Sequence, residues 1–172
     1  MGGAPKLRLI VQTKILIQLT IWRRDIILAA KKGYVKMKEI NVAAGLIMCD
    51  GLILIGQRKH GKDLEYKWEF PGGKLEQGET YEQCLARELM EEMKLKIYVR
   101  QHFMDSACDY DFGRVILHCY WATCKSQDVP AVLEHEQYKW VKLKDLPNYD
   151  FAPADLPIVK ALDGLAEADF PL

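Results

Sequence analysis

GGKLEQGETYEQCLARELMEEMKL, residues Gly72–Leu95, joins a glycine pair to an acidic helix, and the chain is read outward from it. Thr80 and Gln83 have the spacing of a capping box, so a helix is predicted from Thr80 to about Met93. On it Glu88, Glu91 and Glu92 stand three and four residues apart and share one face. Leu85, Ala86, Leu89, Met90 and Met93 fall on a neighbouring arc that is expected to face a core. Like charges at this spacing weaken a helix unless something compensates them. Arg87 is placed to pair with Glu91, but one guanidinium does not neutralise three carboxylates. Divalent cations do, and carboxylate oxygens are the hard ligands that Mg²⁺ or Mn²⁺ prefers. A solvated acidic helix face is the alternative. Gly72-Gly73, after Pro71, reads as a turn whose backbone can approach a ligand and aim a carbonyl at a cation.

Strand patterns flank this segment. Asn41–Cys49 and Leu52–Gln57 are apolar and β-prone, and Asp50-Gly51 between them is a hairpin signal. His60–Tyr66 is polar and reads as a loop, and Trp68–Phe70 as a short extended piece. Beyond the helix, Ile97–Cys108 and Val115–Cys124 read as strands about a polar turn at Asp109–Gly113. Gln137–Lys142 reads as another strand and Leu156–Ala168 as a C-terminal helix. Strands, helix, strands, helix predict an α/β fold, a mixed sheet sandwiched by helices.

The formal charge of zero over 172 residues conceals an asymmetry. Residues 1–36 carry eight Lys/Arg against Asp25 alone, a net +7, so the rest of the chain is at −7. An acidic domain is a poor host for a nucleic-acid duplex, so a polyphosphate bound there is expected to come with metal ions. The five cysteines (Cys49, Cys84, Cys108, Cys119 and Cys124) form no CxxC pair. Neither a zinc pattern nor a disulfide framework is visible, and thiols in a reducing cytoplasm are expected. The histidines, His60, His102, His118 and His135, do not cluster with cysteine and read as ordinary core or surface residues. The longest uncharged run of the N-terminal segment, Ile15–Trp22, is far short of the roughly 20 residues of a membrane span. It has the basic start of a signal peptide without a clean cleavage site, and a basic surface helix is a further alternative. The favoured expectation is an extension outside the fold, residues 1–36, with Met37 as the natural start and residues 37–172 as the domain.

The central stretch resembles the Nudix box, G-x5-E-x7-R-E-U-x-E-E-x-G-U, where U is bulky and aliphatic. Gly73, Glu79, Arg87, Glu88, Leu89, Glu91, Glu92 and Leu95 stand in register. Lys94 replaces the family's second glycine, which ends the helix in a left-handed turn; a non-glycine there costs on the order of 1 kcal/mol. INVAAGLI (40–47), WEFPGGKLEQGET (68–80) and FAPADLP (151–157) extend the likeness to the MutT and CTP pyrophosphohydrolase branch over residues 37–165. The resemblance implies a Nudix α/β/α sandwich and a Mg²⁺-dependent pyrophosphohydrolase, Mn²⁺ substituting. Its expected substrate is an oxidised or modified nucleoside triphosphate, cytosine-type or 8-oxo-dGTP, cleaved to monophosphate and pyrophosphate. Another nucleoside diphosphate-linked substrate, or a non-catalytic recognition module, is the alternative.

By the same resemblance Glu88, Glu91 and Glu92 ligate the metals with the Gly72 carbonyl. Glu134 is a further ligand or the base, and Glu136 competes for that place. Whether Glu88 or Glu134 is the general base is left open. Arg87 and Glu79 orient the carboxylates, Lys74 and Arg58 are assigned to phosphate, and Phe70 to the substrate. Asp155 stands where the MutT branch carries an asparagine, whose amide both donates and accepts. An ionised aspartate only accepts, which suits the exocyclic amino group of cytosine. The alternative is that Asp155 caps the helix that follows, with Pro157 near its start.

Overall fold

A computed structural model of the chain describes residues 37–125, 130–165 and 170. The expectations for residues 1–36, and for the C-terminal helix beyond residue 165, lie outside the described residues. The elements run β1 (Glu39–Cys49), β2 (Leu52–Arg58), β3 (Trp68–Glu69), β4 (Gly72–Lys74), α1 (Tyr81–Met93), β5 (Ile97–Tyr110), β6 (Gly113–Cys124), β7 (His135–Val141), a 3-10 helix (Leu143–Asn148) and α2 (Leu156–Leu162). Among the described residues one seven-stranded mixed sheet is ordered β3-β2-β1-β6-β5, with β4 added to β1 and β7 to β2. β1 and β6 are parallel, from Glu39 opposite Arg114 to Met48 opposite Thr123.

From Val42 to Cys49 β1 is apolar without a break because helices cover both faces of the sheet. Ala44, Leu46 and Met48 enter one core with Trp121, Phe151 and Ile158, on the α2 side. Ala43 and Ile47 enter the other with Leu85, Leu89 and Met93 of α1. The predicted α/β/α sandwich is the observed one. The β1–β2 turn also follows expectation: Asp50 and Gly51 have φ of 50° and 75°, the positive pair that a type I′ hairpin requires.

The glycine pair departs from expectation. Gly72 and Gly73 are not a turn but strand β4, paired with Ala44 and Ala43 of β1. A Cβ on Gly72 would overlap the Ala43 carbonyl oxygen, and one on Gly73 the Glu88 carboxyl. Glycine is needed there so that β4 fits between β1 and α1. The buried ridge of α1 is Cys84, Leu85, Leu89 and Met93. Ala86 and Met90 are exposed, contrary to expectation, because each lies about 100° round the helix from Leu85 and Leu89.

Both ends of α1 follow the sequence. The Thr80 N–H donates to Gln83 Oε1 (2.9 Å) and the Gln83 N–H to Thr80 Oγ1 (3.3 Å), completing the capping box. Lys94 takes the left-handed conformation, φ 55° and ψ 27°, and donates its N–H to the Met90 carbonyl. Lys94→Gly is therefore expected to stabilise the protein by about 1 kcal/mol, read from the urea midpoint at unchanged slope. An unchanged or lower midpoint would show that Lys94 bears no strain.

The later elements differ in length. β5 and β6 extend to Tyr110 and from Gly113, so their turn is tighter than expected. β7 begins at His135 rather than Gln137. The 3-10 helix has no counterpart in the sequence reading. α2 ends at Leu162, where Asp163 turns extended and Gly164 has φ 89°, well short of Ala168.

Candidate active site

A cleft of about 680 Å³ runs from the Glu88–Glu92 edge of α1 to the β5–β6 turn and the segment before α2. It gathers most residues that the sequence singles out: Arg58, Phe70, Gly72, Lys74, Glu88, Glu92, Glu134 and Asp155 all line it. Glu91 and Arg87 do not, and neither does Glu136, which is exposed on β7. The Glu91 side chain is 62 % exposed and bonds to Arg87 at 3.2 Å.

Arg87 organises the box. It grips Glu79 with Nε and Nη2 (2.7 and 3.0 Å), and bonds Glu88 Oε1 through Nη1 (3.0 Å) and the Lys74 carbonyl through Nη2 (3.3 Å). The Arg87 hydrogen bonds hold the Glu79 carboxyl down at about 2. This ties the loop after β4 to the middle of α1 and fixes Glu88 against Gly73.

Glu92 is different. Its Oε2 is buried and has no hydrogen-bond partner, the one such side-chain atom among the described residues. Burial pushes its pKa up; His135 opposes this, while Glu88, Glu69 and Glu134 reinforce it. A buried, partnerless carboxylate oxygen beside other carboxylates is the donor set of a hard cation. No three acidic, histidine or cysteine side chains among the described residues are already gathered round a point as ligands. Arg87 occupies Glu88, and Glu134 is paired with Lys62 Nζ at 2.9 Å. The orphan oxygen, not a ready-made cage, is the observation that fits a cation.

Asp155 closes the far end. It is 4 % exposed, and its Oδ1 accepts the Phe70 N–H at 3.0 Å. It makes no capping bond to α2, so the expected capping alternative is not realised. Burial, then the Glu69 charge, pushes its pKa well above the usual range; the Phe70 N–H and Arg58 offset this only in part. The preceding residue is clamped: Ser106 Oγ donates to the Ala154 carbonyl (2.7 Å), and the Ala154 N–H to Tyr110 Oη (3.1 Å). Tyr110 stacks on the exposed Phe112 at the cleft mouth, centroids 5.0 Å apart and planes 4° from parallel.

The sequence profile of the NUDIX domain matches residues 39–162. The chain belongs to the Nudix family. This Nudix hydrolase is 34 % identical to a CTP pyrophosphohydrolase of Escherichia coli, over 77 % of this chain and 97 % of that protein. It is 35 % identical to the 8-oxo-dGTP diphosphatase of the same organism, over 75 % of this chain and all of the relative. Among solved structures, the E. coli ORF135 protein in solution superposes with a TM-score of 0.66 at 31 % identity, covering 79 % of this chain and 96 % of that one. As a Nudix hydrolase the protein is an enzyme of phosphoanhydride bonds.

Besides Lys62, the sequence reading of the Nudix site passed over Glu69, His135, Tyr110 and Phe112 as cleft residues. Glu69 lies between buried Trp68 and Phe70, and a charge inside an apolar strand was its available signal. Its buried carboxyl would be raised by desolvation, but the hydrogen bond from His135 and the Arg58 charge win and lower it. His135 is buried, the core alternative of the sequence reading, which did not foresee its bond to Glu69. Tyr110 and Phe112 sit where only a turn was read. Arg58, assigned to phosphate, gives Nη1 to Glu69 (2.6 Å) and Nε to the Asp63 carbonyl (2.7 Å). Part of its donor fork is therefore already engaged.

Proposed function

We propose that this Nudix hydrolase is a divalent-cation-dependent pyrophosphohydrolase. It converts an oxidised or modified nucleoside triphosphate, cytosine-type or 8-oxo-dGTP, to monophosphate and pyrophosphate in the cytoplasm. The single observation that carries the reading is the partnerless buried Glu92 oxygen at one end of a cleft whose other end is apolar and aromatic. That polarity suits a substrate with a charged tail and a flat base. The names of its relatives, a CTP pyrophosphohydrolase and an 8-oxo-dGTP diphosphatase, support the substrate class.

Glu88, Glu92 and Glu134 would hold Mg²⁺ or Mn²⁺, the Gly72 carbonyl contributing; Glu91, turned outward, would join only by leaving Arg87. Such an ion neutralises polyphosphate charge and lowers the pKa of bound water. Lys62, Lys74 and the remaining donors of Arg58 meet phosphate oxygens. Glu88 or Glu134 takes the proton of the attacking water. Phe70 and Phe112 offer flat surface to the base, and Asp155 reads its edge. Pyrophosphate release from dCTP, 5-substituted dCTP, dGTP and 8-oxo-dGTP, with and without Mg²⁺, tests the reading. Metal-independent release, or none from any of the four, would overturn it.

Asp155 yields a pH-dependent prediction. With its pKa raised, it is a neutral acid to higher pH than an ordinary aspartate and donates a hydrogen bond as well as accepting one. As pH rises through that value the donor is lost. Preference is expected to move from guanine-type substrates, whose carbonyl needs a donor, towards cytosine-type ones. Asp155→Asn should remove the pH dependence of the ratio of kcat/KM values and shift it towards guanine. Stability follows the same sign: the folded state binds the extra proton, so stability falls as pH rises from 3.8 through the raised value. Asp155→Asn should therefore gain melting temperature at pH 8 relative to wild type, and less at pH 4. A mutant that slows all four substrates by one factor would make Asp155 purely structural.

We further propose that residues 1–36 are dispensable, on their charge contrast with the rest and the profile match beginning at residue 39. A chain starting at Met37 is expected to fold and to hydrolyse the same nucleotides at the same rate. Insolubility or inactivity of that chain would show the segment to be part of the fold.

A further inference from the structure

Behind Glu92 lies a part-buried chain of polar groups, centred on the buried His135, that the reaction as described does not use. His135, 7 % exposed in its side chain, bonds Glu69 Oε1 through Nε2 at 2.7 Å and Tyr138 Oη through Nδ1 at 2.8 Å. Glu69 is anchored in turn by Arg58 at 2.6 Å. Room for the imidazole comes from Gly56 of β2, where a Cβ would stand 2.6 Å from His135 Cδ2. The Glu92 Oε2 without a partner lies 3.9 Å from His135 Nδ1, too far for a hydrogen bond.

The bonding assigns the tautomer. An ionised Glu69 only accepts, so Nε2 carries the hydrogen that it receives. In the neutral ring Nδ1 is then the acceptor, and the Tyr138 hydroxyl donates to it. Both nitrogens are engaged, and neither turns to Glu92 although the ring is its neighbour. Leaving a buried carboxylate oxygen unsatisfied is unfavourable in the metal-free protein, and the same arrangement keeps its lone pairs open.

We infer that His135, locked between Glu69 and Tyr138, is a positioning residue for the cation site: it backs the Glu92 carboxylate without bonding it, and so sets how tightly the ion is held. The inference rests on the proposed role of Glu92 as a metal ligand. Groups hydrogen-bonded behind a ligand typically alter metal affinity by 10–100-fold, and a ring packed behind it without a bond is expected at the lower end of that range. Without the Tyr138 hydroxyl the ring is held from one side only and can swing to Glu92. With glutamine at position 135 the rigid backing is gone.

The test is Mn²⁺ binding to the full chain, followed by the free-ion EPR signal without nucleotide. Tyr138→Phe, which deletes one oxygen, and His135→Gln are each expected to weaken Mn²⁺ binding by about tenfold. The Mg²⁺ concentration for half-maximal turnover should rise in step. A merely structural role would lower the melting temperature of the metal-free protein and leave the dissociation constant of the folded fraction unchanged. Affinities within twofold of wild type would overturn the inference; if His135→Gln does not fold, Tyr138→Phe decides alone. Glu92→Gln separates the two levels. If it binds Mn²⁺ like wild type, or if wild type binds none, the cation reading itself fails. If it loses Mn²⁺ while Tyr138→Phe does not, only the role of His135 fails.

Discussion

Glu92→Gln is expected to lower turnover by on the order of a thousandfold or more and, in the same protein, to raise the melting temperature of the metal-free form. The two effects have one cause. Glu92 Oε2 is buried and unpaired, with Glu69, Glu88 and Glu134 as acidic neighbours, so its charge is a liability until something positive is bound. Glutamine keeps the shape and removes the charge, which relieves a penalty on the order of 1 kcal/mol. It also removes the proposed metal ligand, and the expected loss of charge stabilisation in the transition state is several times larger. Glu91→Gln is the contrast. Its side chain points outward to Arg87, and a smaller loss is expected. Steady-state rates at saturating Mg²⁺ and thermal melts in chelator measure both. Near-normal turnover of Glu92→Gln, or equal losses at both positions, would refute this ranking of the two glutamates.

Arg87→Ala is expected to damage fold and activity together, with a melting temperature lower by roughly 5 °C and turnover down by roughly a hundredfold. Removing the guanidinium frees Glu79, Glu88 and Glu91 at one stroke and unties the Lys74 carbonyl. Glu88 then has no partner to hold it against Gly73. Arg87→Lys should recover little, because an ammonium cannot span the two Glu79 oxygens as the fork does. The pH profile gives a second reading. Glu79 is held down at about 2 by Arg87, so its contribution to stability is present above its ordinary 4.5 and is lost as pH falls towards 2. In Arg87→Ala that acid limb should flatten. A mutant that melts like wild type and keeps the same acid limb would show that these ion pairs are surface contacts of little value.

The chemistry-bearing segment was legible because its signals are local. The capping box acts across three residues, the Asp50-Gly51 hairpin across two, and the left-handed turn at Lys94 within one. The Nudix spacing rests on helical periodicity, which needs no tertiary information. The glycine pair was harder. Gly72-Gly73 looked like a turn because glycine punctuates loops, whereas here its missing side chains let β4 lie between β1 and α1. Ala86 and Met90 looked like core because apolar character alone does not say how wide an arc the sheet covers. Met90 is left at the surface, 41 % exposed.

By itself the sequence determined the fold class, the capped acidic helix with its carboxylates in register, and the family to which they belong. These follow from bonds between near neighbours and from the period of a helix. Only the tertiary structure decided which glutamates meet the cleft. Spacing places Glu88, Glu91 and Glu92 on one face, but the packing of α1 against β4 turns Glu88 and Glu92 inward and leaves Glu91 with Arg87. It also decided that Asp155 bonds Phe70 across 85 residues instead of capping its own helix, and that His135 meets Glu69 across 66. Such partners are chosen by the path of the sheet. A hydrogen bond between residues so far apart has no period in the sequence, and the burial that gives it weight exists only once both cores have closed.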